Sequence, residues 1–122
     1  VHIPSLAVYA GGIQKETCLD PLTGCTGFDW DDENIAKNWV LHRVSTAEAE
    51  DVFFRDPLLV YPDKQHSQRE KRYFALGTTR ARRHLFVAFT IRRTLIRVIS
   101  VREMTRKEKV HYEQNENADS QV

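Results

Sequence analysis

Ten residues, Asp63 to Arg72, carry the densest set of reactive groups in this chain: Asp63-x-x-His66-Ser67-x-x-Glu70-x-Arg72. An imidazole gives or takes a proton near neutral pH, a carboxylate accepts one, and a guanidinium grips phosphate. Cleaving an RNA strand without a metal asks for those groups. A base removes the 2′-OH proton, an acid protonates the leaving 5′-oxygen, and cations offset the charge that builds on the phosphorane. His66 and Glu70 are the candidate proton carriers, with the acid and base roles open between them. Arg72, Arg97 and Arg102 are the candidate catalytic cations. Each has a plainer reading: His66 as a polar loop residue, Glu70 as an ion-pair partner of Arg72. Glu70 is one of three acids in residues 64–111, so surrounding arginines would keep it ionised.

Arg97 interrupts the apolar run Leu95–Val101, and a charge there must reach a cleft or a carboxylate. In perfect alternation Arg97 and Arg102 would face opposite sides of a strand. A bulge or a bend is needed to bring them to one face.

Charge is sorted along the chain. Residues 1–63 hold 4 Lys/Arg against 11 Asp/Glu, whereas residues 64–111 hold 14 against 3, a local net of +11. The total of +1 hides this cationic block, which points to nucleic acid or another polyanion as the partner. Lys37, His42, Arg80 and Arg83 are the candidate RNA-binding residues. Arg82, Arg92 and Arg93 share the turns, and Tyr112 is a further residue within reach. A solvated helix face explains Lys37, His42 and Tyr112 more cheaply. Trp30 and Trp39 read as packing residues. No Gly-rich phosphate loop, Cys/His zinc spacing or metal-ligand cluster is present in the sequence, so no cofactor or metal is expected.

The elements that must position these groups follow from composition and pattern. The 122 residues, 41% hydrophobic, suit one domain with a modest core. No apolar run approaches the ~20 residues of a membrane span. Cys18 and Cys25 read most simply as reduced thiols of a cytoplasmic protein. Residues 1–27, rich in Gly, Pro, Ser and Thr, read as a flexible leader, 28–114 as the folded domain and 115–122 as a polar tail.

Phe28–Trp30 is a short strand. Asp31 or Asp32 caps a helix to about Arg43, with Ile35, Ala36, Trp39 and Val40 on its apolar side and Lys37, Asn38 and His42 on the polar one. Ser45–Glu48 is a capping box opening a second helix, which Asp56-Pro57 ends. Strands are expected at Leu58–Tyr61, Tyr73–Thr78, His84–Thr90 and Leu95–Val101. Their short connections make neighbours antiparallel. Thr105–Glu108 is a second capping box and opens a C-terminal helix. The fold class is α+β: two helices, an antiparallel sheet of about four strands, then one helix.

In this order the residues resemble the BrnT family of toxins. The resemblance runs through Phe28-Asp29-Trp30-Asp31, Lys37-Asn38, His42-Arg43-Val44-Ser45, Glu48-Ala49, Val52-Phe53 and Asp56-Pro57. It continues through Asp63, His66-Ser67, Glu70, Arg72-Tyr73, Ala75-Leu76-Gly77, Arg97 to Arg102, Lys107-Glu108 and Tyr112, covering residues 28–113. It implies a RelE-like ribonuclease toxin of a type II toxin–antitoxin pair that cleaves RNA and so blocks translation. It also implies neutralisation by a BrnA-like antitoxin, as a dimer or a heterotetramer, in a complex that represses its own operon. The family usually has Lys-His-Gly-Val-Ser-Phe where this chain has Leu41-His42-Arg43-Val44-Ser45-Thr46. Arg43 is therefore strained if that turn needs a positive φ. These departures keep open a relic toxin that binds RNA without cleaving it, or a module that only docks an antitoxin.

Overall fold

Helix α1 starts where the sequence offers its first cap. In the computed structural model, Asp31 is extended and its carboxylate accepts from the Glu33 N–H, so α1 runs Asp32–His42. The structure describes residues 20–66 and 69–120, with side chains described to Glu116. Cys18, Ser67 and Gln68 lie outside the described residues.

Arg43 ends α1 in the left-handed region, at φ 53° and ψ 41°. The turn needs the positive φ that a Gly adopts without strain, and its guanidinium lies 5.4 Å from the Trp39 ring centroid. Both halves of the Ser45/Glu48 capping box are formed, and α2 spans Thr46–Val52. Strand β2 is Leu59–Pro62, β3 Arg72–Thr78, β4 His84–Arg92 and β5 Leu95–Glu103. The second box also forms: Thr105 and Glu108 exchange side chain-to-N–H bonds at 2.9 and 3.2 Å, opening α3, Arg106–Ser120. The helix thus continues into the segment read as a tail.

The sheet among the described residues has five strands in the order β1-β5-β4-β3-β2. The expected antiparallel strands are all present. The fifth, β1 (Gly27–Asp29), lies parallel to β5, which makes the sheet mixed. Residues 20–27, expected in the leader, belong to the fold: Leu22 is 4% exposed and the free thiol of Cys25 is buried in the core.

One face of the sheet meets α1 and α2. Ala49, Val52 and Phe53 pack there on Leu85, Val87, Phe89, Ile96 and Val98, with Phe53 edge-on to Phe89 at 5.3 Å. Gly77 is needed at this contact, because a Cβ on it would lie 2.5 Å from Val52 Cγ1. The other face carries α3, whose fully buried Tyr112 packs with Leu59 and Leu76. The Tyr112 hydroxyl donates to Pro57 O at 2.6 Å, and burial pushes its pKa up to about 12. Tyr112 is therefore a core residue that cannot reach RNA.

Helix α1 turns its apolar side the wrong way for a core. Trp39 is 47% and Val40 66% exposed, whereas Asn38 is 2% exposed. The β4–β5 register shifts between Ala88 and Phe89, so two β5 residues, Ile99 and Ser100, span one step of β4. Just beyond this bulge, the Val101 N–H donates to Asn38 Oδ1 at 3.1 Å. A buried N–H at the edge of the sheet requires an acceptor, and Asn38 supplies it.

Candidate active site

The register aligns four polar side chains across the open face. Asp29 pairs with Arg97, Arg97 with Thr90, and Thr90 with Arg72, so β1, β5, β4 and β3 each contribute one residue to a single row. Directly paired residues share a face of the sheet. Arg97 is clamped at the end of this row: Nη1 donates to Asp29 at 2.8 Å and Nη2 to Asp31 at 3.1 Å. The requirement that a strand-borne charge find carboxylates is thus met. Thr90 is buried, and its hydroxyl donates to Lys71 O at 2.6 Å, which ties β4 to the chain entering β3.

The β2–β3 connection brings the candidate proton carriers to the same end of the sheet. The Asp63 N–H donates to Arg72 O at 2.8 Å, closing the loop. His66 ends a short helical turn, Lys64–His66, and its Nδ1 lies 3.0 and 3.1 Å from the two Asp63 carboxylate oxygens. Its side chain is 62% exposed. Glu70 is held by Arg92 through bonds of 3.1 and 3.3 Å. That hydrogen bond, with the charges of Arg92, Arg72 and Arg97, holds the Glu70 carboxyl below the usual carboxylate range. Glu70, Arg72, Arg92 and Arg97 therefore gather at one end of the open face, and the β2–β3 connection holds His66 at the same end of the sheet.

Arg102 does reach this face, because the bulge shifts the alternation between it and Arg97. It lies four β4 residues further along, opposite Phe86, about 13 Å from the Arg72–Arg97 row at ~3.3 Å per residue. There it binds both Glu108 oxygens at 2.8 and 3.0 Å and stacks on Phe86 at 3.9 Å. Burial alone would raise the Glu108 pKa, but Arg102 and the Thr105 N–H bring it down. Arg102 fastens α3 to the sheet, apart from the row.

Arg80 and Arg83 stand at the opposite end, in the β3–β4 turn. The six residue steps from His84 to Thr90 separate them from the row by about 20 Å. Arg83 is enclosed: it donates to Glu48, Glu103, His42 O and Arg43 O. It joins the ends of α1, α2 and β5. Arg80 is exposed, with its backbone N–H on Asp51. Lys37 is exposed on α1, and His42 is half-buried at its end.

Asp29, Asp31 and Thr90 enter the site without having been singled out by sequence. Only the parallel pairing of β1 with β5 connects the two acids to Arg97, over separations of 68 and 66 residues. Among the described residues, no three His, Cys, Asp or Glu side chains are grouped to hold a metal ion.

The family described as ribonuclease toxin, BrnT, of type II toxin–antitoxin system matches residues 30–108. The chain belongs to the BrnT family. The matched span takes in His66, Glu70, Arg72, Arg97 and Arg102 and ends at Glu108, in the first turn of α3. Membership makes it a ribonuclease toxin of a type II toxin–antitoxin system, with RNA as substrate and an antitoxin as partner.

The crystal structure of the Brucella abortus ribonuclease toxin, BrnT, is similar in fold, with a TM-score of 0.51 at 22% identity. The likeness covers 66% of this chain and 97% of that one. No curated protein matches the sequence. No helix among the described residues is long and apolar enough to cross a membrane.

Proposed function

We propose that this BrnT-family toxin cleaves RNA without a metal, by attack of a 2′-OH on the adjacent phosphate, at the Arg72–Thr90–Arg97 row. One observation carries the reading: two strand-borne arginines share a face at the end of the sheet where Glu70 and His66 also lie. Arg72 and Arg97 hold the scissile phosphate and offset the charge gained in the phosphorane. The depressed Glu70 carboxyl rests as a proton acceptor, so it takes the 2′-OH proton. With Nδ1 engaged by Asp63, His66 exchanges its proton through Nε2, and it serves the leaving 5′-oxygen.

An incoming phosphate competes with carboxylates for the same guanidiniums. Displacing Arg92 from Glu70 raises the basicity of Glu70 when substrate is present. Displacing Asp29 and Asp31 frees Arg97. Loss of RNA through this reaction blocks translation in the cytoplasm, and a BrnA-like antitoxin neutralises the toxin in a heteromeric complex.

The test is cleavage of a defined RNA in EDTA. Activity that disappears in folded Glu70→Ala and Arg97→Ala proteins supports the mechanism. A second reading, binding without cleavage, is favoured by the ion pairs that occupy Arg97 and Glu70 at rest. It predicts intact RNA bound in a salt-sensitive way.

A further inference from the structure

Beside the cation row, the same face of the sheet carries a ladder of aromatic rings that the cleavage chemistry does not use. Tyr61 of β2 stacks on Phe74 of β3 with ring centres 5.0 Å apart and 19° between planes. Phe74 stacks on Phe86 of β4 at 5.1 Å and 20°. Arg102 caps the far end, 3.9 Å above Phe86. The rings are half-buried, and a groove of about 400 Å3 opens between Tyr61, Phe74 and Leu76 on the sheet and Lys107 and His111 on α3. The Tyr61 hydroxyl and His111 Nε2 hydrogen-bond at its rim.

We propose that this groove takes an unpaired base of the RNA substrate, next to the nucleotide whose phosphate is cleaved. The inference rests on the RNA-cleaving reading above. Three features favour an RNA base over a side chain of a protein partner. Phe74 follows Arg72 by two residues on one strand and shares its face, so the groove starts about 7 Å from the phosphate-binding row. Single-stranded RNA is held by aromatic rings flanked by cations, and here the rings lie on the sheet, Lys107 on the helix, and Arg102 behind, paired with the lining Glu108. All of the groove's lining but Tyr61 belongs to the sequence block 64–111, whose net charge of +11 attracts a polyanionic strand and not an apolar peptide.

The experiment uses the full chain and a short 2′-O-methylated RNA carrying one 2-aminopurine, beside the same strand with an abasic sugar at that position. The 2′-O-methyl groups prevent cleavage. Binding quenches the 2-aminopurine fluorescence. Phe74→Leu and Tyr61→Leu each weaken binding of the base-containing strand about tenfold. Neither changes affinity for the abasic strand. Should Phe74→Leu fail to fold, Tyr61→Leu on the edge strand gives the same readout.

Equal affinity of both variants and the parent for the base-containing strand overturns the base site. If Arg72→Ala still weakens binding in that case, the RNA reading stands without it. A parent that binds neither strand overturns both. Variants that keep RNA affinity yet lose an antitoxin assign the groove to a protein anchor and overturn the proposal.

Discussion

Arg92 restrains Glu70 in the resting site, and its removal gives the sharpest single-residue prediction. Its hydrogen bond is the main cause of the depressed Glu70 carboxyl. Arg92→Ala therefore moves the acidic limb of the kcat/KM pH profile, which reports the free enzyme, upward toward the usual carboxylate range without abolishing cleavage. An unmoved limb would separate Glu70 from the proton transfer. His66→Ala should cost about 100-fold or more in single-turnover rate, the usual contribution of a general acid. The residue types at Asp63, His66, Glu70 and Arg72 were legible because they crowd one loop, and Arg97 because it is a charge inside an apolar strand. Asp29 and Asp31 were not, since nothing local relates acids at or just after the end of β1 to an arginine on β5. Tyr112 illustrates the same limit: a Tyr on a polar helix looks solvated until the sheet beneath it is known.

Elements were most legible at their ends. Asp31, Ser45 and Thr105 cap their helices where side-chain chemistry says they should, and Asp63 N–H to Arg72 O closes the loop that the Pro62-Asp63 stop begins. The exposed apolar side of α1 was not legible, because tertiary demand overrode the local pattern. The bulge in β5 needs an acceptor for the Val101 N–H, and only the Asn38 side of the helix provides one. Asn38→Ala strands that N–H and should cost about 1–3 kcal/mol in chemical denaturation. An unchanged midpoint would mean that the bulge is satisfied otherwise. Arg43→Gly relieves a left-handed residue, whose strain is about 1–2 kcal/mol, and should raise stability despite losing the Trp39 contact. The same bulge brings Arg102 to the face that carries Arg97, where Glu108 of α3 then claims it.

Across the whole molecule, charge and stability are tied to the same pairs. Folding lowers the pKa of Glu48 and Glu108 below the ordinary 4.5: burial opposes the shift, and the bonds from Ser45 and Arg83, and from Arg102 and Thr105, outweigh it. A depressed folded pKa stabilises above the unfolded value, so this contribution is present above about pH 4.5 and is lost as pH falls through the folded values. Glu108→Gln should flatten the acid side of a melting-temperature profile, and an unaltered slope would refute the link. RNA affinity should fall about twentyfold between 50 and 200 mM salt if Arg72, Arg92 and Arg97 each take a phosphate. The α+β class was legible from the order of helices and strands, whereas the parallel docking of β1 was not, because pairing partners are absent from local pattern. The decisive measurement is a time course of RNA integrity with the purified protein in EDTA, run beside folded Glu70→Ala and Arg97→Ala variants. Cleavage by the parent that both variants lose is the predicted result. RNA left intact by the folded parent, with or without ribosomes, or cut equally by all three proteins, would contradict it.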